Sequence, residues 1–130
     1  MIVDTSAIIA ILHAEPEAAE FAGAIKSAII RRISAVSYVE AAVVIDSARD
    51  AIASRRFDDL LRASHIQIEP VTPQQAEIAR QAYRDFGKGR HKARLNLGDC
   101  FAYALAKEMD EPLLYKGRDF VHTDIEAAEF

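Results

Sequence analysis

Three acidic residues sit alone in apolar segments. Asp4 is the only charge in "MIVDTSAIIAIL" (1–12), Glu40 the only one in "AVSYVEAAVVI" (35–45), and Asp99 the only one in "LNLGDCFAYALA" (95–106). A fourth, Asp119, follows the apolar "PLLY" (112–115) after a short turn. Carboxylates gathered in apolar surroundings repel one another and resist ionisation. A hard divalent cation relieves both costs. Mg2+ prefers oxygen ligands and keeps several waters beside a few carboxylates. Zinc has no comparable ligand pattern here, because His13, His65, His91 and His122 are scattered and Cys100 stands alone.

Each acid also has a local explanation. Asp4 can cap the helix it precedes. Glu40 lies three residues after Ser37, the spacing of a capping box. Asp99 falls in a helix's first turn, where the helix dipole favours a negative charge. Asp119 follows Gly117 and can be a turn residue.

The elements decide whether the four can meet. "MIV" reads as a strand ending at Asp4, and "SAIIAIL" (6–12) as a buried helix. Pro16 can start a second helix with Phe21, Ala24, Ile25 and Ala28 on one face. "IRRISAV" (30–36) contains a second strand, after which Ser37 is expected to cap a helix running to about Arg49. "SRRFDDLLRAS" (54–64) continues helical, and "IQIEPV" (66–71) alternates like a strand. Thr72, Pro73 and Gln75 mark the start of a helix over 72–86. "LGDCFAYALAKEM" (97–109) is a further helix and "PLLY" a further strand, and the tail "VHTDIEAAEF" has room for one more. Strands alternating with helices predict an α/β fold with a parallel central β-sheet flanked by helices. In such a sheet, strand C-termini and the following helix N-termini open on one edge, where these folds bind ligands. That edge can collect acids distant in sequence.

The chain has 130 residues, enough for one domain spanning 1–130 with a real core. No linker, repeat or low-complexity segment divides it. No apolar run reaches membrane-spanning length and no basic stretch precedes the N-terminal apolar run, so the expected location is cytoplasmic. A single cysteine cannot form an internal disulfide, which fits a reducing compartment. The formal charge of −4 excludes a basic nucleic-acid coat, so nucleic acid would have to meet a local basic patch.

"MIVDTSAIIAIL", Glu40 on the third helix, and "GKGRHKARLNLGDCFAYALAKEMDEPLLYKGRDFVHTDI" together resemble the PIN-domain family. Within it they look like the VapC toxins of type II toxin–antitoxin pairs. The resemblance covers essentially the whole chain. It implies an endoribonuclease dependent on Mg2+ or Mn2+, a homodimer, and a VapB-like antitoxin that covers the active site. The family's first three acids fall on Asp4, Glu40 and Asp99. The fourth falls on Asp119, with Asp124 of "HTDI" as the competing candidate or a supporting neighbour. Thr5 and Ser6 match the family's small hydroxyl pair. Thr5 is read either as a partner of an acid or of metal-bound water, or as a helix cap.

An acidic centre acting on RNA needs positive guidance outside it. "KGRHKAR" (88–94) places Lys88, Arg90, His91, Lys92 and Arg94 just before the helix of Asp99, and they are the candidate RNA contacts. A solvated loop is the plain alternative. Arg31, Arg32, Arg55 and Arg56 read as surface, Tyr38 and Tyr103 as core, and Cys100 as buried packing. Two rival functions stand beside the nuclease. A Mg2+-dependent phosphatase-like hydrolase also gathers aspartates at strand ends, but haloacid-dehalogenase-like enzymes place a second aspartate where this chain has Ser6. A non-catalytic binding module would use its acids only as caps. Neither a P-loop nor a G-x-S-x-G motif is present.

Overall fold

The computed structural model describes residues Met1–Phe130. Four short strands, β1 (Ile2–Val3), β2 (Arg32–Ser34), β3 (Gln67–Glu69) and β4 (Leu113–Leu114), form a parallel sheet in the order β3-β2-β1-β4. Ile2 pairs with Arg32 on one side and Leu113 on the other, and Val3 pairs with Leu114. Six helices cover the sheet: α1 (Thr5–Leu12), α2 (Ala18–Ser27), α3 (Ala35–Asp46), α4 (Ala51–Ala63), α5 (Pro73–Phe86) and α6 (Leu97–Met109).

The two-residue strands explain the layers. Side chains alternate across a strand. Val3 and Leu114 enter a core with α1 to α4, around Ile8, Phe21, Ile33, Ile45 and Phe57. Ile2 and Leu113 enter a second core with α5 and α6, around Leu95, Cys100, Tyr103, Leu105 and Phe120. A strand covered on both faces reads as a continuous apolar run. The tail adds a single parallel bridge, Leu113 to Ala127, with hydrogen bonds of 2.9 Å at Leu113 N and Leu113 O.

Several local expectations change. Ser34, not Ser37, caps α3: its Oγ accepts from Val36 N at 3.2 Å. Ser37 is buried inside the helix, so Glu40 lies in the second turn and the Ser37–Glu40 capping box does not exist. The helix expected to run to Arg49 ends at Asp46. Asp50 then starts the separate α4 by accepting from Ile52 N and Ala53 N at 3.0 and 3.3 Å. Thr72 caps α5 through Gln75 N at 3.1 Å, but the buried Gln75 side chain leaves Oε1 without a partner and gives nothing back. Arg31 and Arg32 are not plain surface. Arg31 donates to the carbonyls of Ile25, Lys26 and Ser64, joining the ends of α2 and α4. Arg32 pairs with Glu69 at 2.8 Å and with Glu111 at 3.1 Å, and Glu111 also takes the N-terminal ammonium at 2.9 Å.

Candidate metal centre

The parallel sheet gathers the acids as its topology requires. Asp4 directly follows β1, Glu40 is on the helix after β2, Asp99 begins the helix before β4, and Asp119 follows β4. A crevice of about 360 Å3 at this edge is lined by Asp4, Glu40 and Asp99, with Thr5, Asn96 and Lys116 among its walls.

Asp4 is 4 % exposed. Its Oδ2 accepts from Ser6 N at 3.0 Å and from Ser6 Oγ at 2.6 Å. Ser6 Oγ in turn accepts from Lys116 N at 2.9 Å, so the end of β4 fixes the first acid through one hydroxyl. Asp99 Oδ2 accepts from Asn96 N at 3.0 Å while Asn96 Oδ1 accepts from Asp99 N at 2.8 Å, a complete capping box. Capping is therefore real at both residues. It engages only Oδ2 in each case, and each Oδ1 has no protein donor.

Glu40 is held differently. The single proton of Thr5 Oγ1 is shared between Ser37 O at 3.0 Å and Glu40 Oε1 at 3.2 Å. The carboxylate rests on Gly98, where any side chain would collide with it. Thr5 is the first residue of α1 rather than its cap, a position taken by Asp4. Asp119 precedes a 3-10 turn (Phe120–His122) but makes no side-chain cap bond, so its carboxylate is uncommitted.

These carboxyl groups feel one another. Burial pushes the Asp99 carboxyl up to about 7, and the charges of Asp4, Asp119 and Glu40 add to the shift against the bond from Asn96. Burial also raises Asp4, opposed by its bonds from Ser6 and by the nearby Thr5 backbone N–H, and assisted slightly by Asp119. Glu40 is raised by burial, with Asp4 contributing and Thr5 opposing. Cys100 behaves as packing: burial and Asp99 push its thiol up to about 11.

No three His, Cys, Asp or Glu side chains already stand at the spacing of a shared ion. The donor set nevertheless fits a hard cation. It consists only of carboxylate oxygens, those on Asp4 Oδ1 and Asp99 Oδ1 are unengaged, and Gly98 leaves room for a third carboxylate. Mg2+ needs only one or two protein carboxylates alongside its waters.

Asp124 is placed elsewhere. Its Oδ1 accepts from Tyr103 Oη and its Oδ2 from Lys107 Nζ, both at 2.7 Å. Its carboxyl lies below the usual range; burial opposes the lowering, which Lys107 and Tyr103 impose. The basic loop is clamped by Lys88 N to Leu95 O at 2.9 Å and Leu95 N to Phe86 O at 3.0 Å. Lys88, Arg90, Lys92 and Arg94 are exposed, and none lines the crevice. His91 is occupied within the loop: Nδ1 accepts from Ala93 N at 3.0 Å and the ring meets Phe86 edge-on at 5.3 Å. Tyr38 stacks on Phe57 at 5.6 Å and Tyr103 is buried, both as core.

Sequence reasoning passed over Gly98, Asn96 and Lys116. Gly98 carried a signal, since glycine early in a helix costs about 1 kcal/mol against alanine and calls for a packing reason. Lys116 carried none; it read as one turn residue among others.

The family model described as "PIN domain" matches residues 1–126. The chain belongs to the PIN-domain family. Ribonuclease VapC28 of Mycobacterium tuberculosis is 54% identical over 129 residues, covering 98% of this chain and 97% of its own. Ribonuclease VapC of Mycolicibacterium smegmatis is 46% identical over 127 residues, covering 98% of each chain. Among solved structures, M. tuberculosis VapC20, a toxin that cleaves the sarcin–ricin loop, superposes with a TM-score of 0.71 at 18% identity, over 95% of each chain. A toxin–antitoxin complex from Klebsiella pneumoniae gives 0.70 at 18% identity, over 95% of this chain and 92% of that one. At such identity these two show the fold. The sequence relatives show the activity class: this PIN-domain chain is a VapC-type endoribonuclease. Enzymes of this kind are metal-dependent.

Proposed function

We propose that the crevice of Asp4, Glu40 and Asp99, with Asp119 beside it, is where this PIN domain hydrolyses RNA phosphodiester bonds, with Mg2+ or Mn2+ bound. The observation that carries the reading is the crevice itself, lined by Asp4, Glu40 and Asp99 from three separate elements, with the burial and mutual charge that raise Asp99 in keeping with it. A divalent cation held there would supply Lewis acidity, for acidifying water, polarising the phosphoryl group and offsetting charge on the leaving oxygen. Asp4 and Asp99 would hold it through their unengaged Oδ1 atoms, with Asp119 closing the open side. Glu40, steadied by Thr5 at Oε1, has Oε2 free of protein donors and a raised pKa. Both features suit it to take a proton from the attacking water. Lys88, Arg90, Lys92 and Arg94 attract the RNA backbone outside this centre.

The proposal extends to partners. A VapB-like antitoxin silences the enzyme by covering the crevice. The exposed Val39, Val43 and Val44 of α3 continue from Thr5 and Glu40 as an apolar wall suited to a partner helix. The groove of about 420 Å3 between α5 and α6, lined by Ala79, Tyr83, Leu97 and Phe101, supports a homodimer. No helix is long and apolar enough to cross a membrane, in keeping with action in the cytoplasm as one domain over 1–130.

The test is the purified chain on single-stranded RNA with Mg2+ or Mn2+, then with chelator. Cleavage that begins with the ion and stops with chelator is expected. Cleavage indifferent to chelator, or none with either ion, overturns the proposal.

A further inference from the structure

Lys116 is the only basic residue lining the acidic crevice. Its main chain is fixed there, because Lys116 N donates to the Ser6 hydroxyl that holds Asp4. Its ammonium, however, forms no ion pair with Asp4, Glu40 or Asp99. It pairs with Glu15 and, at 3.0 Å, with Glu17, both from the connection between α1 and α2. Glu15 itself lines the crevice. An ammonium has three donors. One is directed to Glu15, Glu17 adds an ion pair without hydrogen-bond geometry, and donor capacity remains beside a site that must admit an anion.

A phosphodiester entering an acidic crevice gains from positive charge on the protein beside that of a metal. The exposed cations of the loop at 88–94 stand outside the crevice, so they steer without touching the reacting group. Lys116 is the one cation placed to do so. Resting on the strand end that also fixes Asp4, and restrained by two carboxylates, its head group is already ordered before substrate arrives, which lowers the entropy lost on contact. We infer that Lys116 contacts a non-bridging oxygen of the substrate phosphate, and that Glu15 and Glu17 hold its ammonium ready while restraining its strength. No bond is made or broken at Lys116. This inference rests on the nuclease reading above.

The alternative is a latch that merely ties the α1–α2 connection to the end of β4. The two ideas differ in what release of the lysine does. If Lys116 contacts phosphate, Glu15→Gln with Glu17→Gln frees it and lowers KM. If it is a latch, the same change loosens the fold and gains nothing. Removing two negative charges could attract RNA by itself, so the double variant is also made in a Lys116→Gln background.

The experiment measures kcat and KM on a short fluorescent single-stranded RNA at saturating Mn2+. The Mn2+ midpoint is followed separately through the unfolding temperature of each variant. Lys116→Gln should lower kcat/KM about ten- to a hundredfold, the worth of one charge-assisted contact, with the Mn2+ midpoint unchanged. Lys116→Arg should restore most of the loss. Glu15→Gln/Glu17→Gln should lower KM, and that gain should vanish in the Lys116→Gln background. A gain that survives without the lysine, or equal losses in Lys116→Gln and Glu15→Gln/Glu17→Gln, overturns the inference. If the wild-type chain cleaves nothing with Mn2+, the nuclease reading itself has failed, an outcome separate from either of these.

Discussion

The carboxylate of Glu40 lies on the bare Cα of Gly98, in the volume that a side chain there would fill. Two acids from different elements, Glu40 on α3 and Asp99 on α6, are brought together by the residue that lacks a side chain next to one of them. Gly98→Ala should therefore displace Glu40 rather than unfold the chain, since the collision is with a side-chain end and alanine favours the helix by about 1 kcal/mol. We expect the unfolding temperature to hold while RNA cleavage falls about ten- to a hundredfold, as when a metal site's supporting contacts are lost. Unchanged cleavage would show that Glu40 need not sit where it does.

The raised Asp99 carboxyl makes metal-free stability depend on pH, with a definite sign. In the unfolded chain it titrates near 3.9, and in the fold near 7. Between those values the folded state holds more protons, so stability falls as pH rises through the window. Asp4 and Glu40 are raised too and act in the same direction. Thermal unfolding with chelator should show a falling midpoint from about pH 4 to 7. Asp99→Asn should flatten the decline and stabilise the metal-free protein near neutral pH. The same pH dependence in wild type and Asp99→Asn over this range would contradict the crowding of these acids.

Asp119 and Asp124 are close in sequence and differ in employment. Asp119 has a free carboxylate near Asp4 and Asp99, whereas both oxygens of Asp124 are bound to Tyr103 and Lys107. Asp119→Ala should cost more than about a hundredfold in cleavage at limiting Mg2+, beyond the range of a supporting contact. Asp124→Ala should chiefly lower the unfolding temperature by releasing the tail from α6. Assays at saturating Mn2+ separate loss of metal affinity from loss of catalysis. The reverse order under both conditions would move the fourth acid to Asp124.

The basic loop should act through charge alone. Arg90→Ala with Lys92→Ala should weaken RNA binding across sequences and flatten its salt dependence by about one to two units of slope. Binding measured at several salt concentrations reads this directly. An unchanged slope would place RNA entry on another face.

The layers of the fold were legible because β1 and β4 are apolar on both faces and β3 alternates. Thr72, Asp4 and the Leu97–Met109 helix stand where their sequence signals put them. Glu40 was misplaced by one turn because Ser34 and Ser37 are both competent caps; the strand's pairing through Ser34 with Glu69 decides between them, and pairing is not a local property. Arg32 looked like surface because Glu69 and Glu111 lie far along the chain, and Arg31 because its partners are backbone carbonyls at helix ends, which leave no side-chain signal. The converging acids could be read from topology, since consecutive parallel strands must end on the same edge. Lys116 could not, because its glutamates sit about 100 residues earlier and no spacing rule joins them.

The central claim is that Asp4, Glu40, Asp99 and Asp119 surround a divalent ion. Anomalous diffraction from a crystal of the chain soaked in Mn2+ tests it most directly. The account predicts a Mn2+ peak in the crevice, within coordination distance of Asp4 and Asp99 and flanked by Glu40 and Asp119, that is absent from an identically soaked Asp99→Asn crystal. An empty crevice at saturating Mn2+, or a peak bound only at other residues, would contradict it.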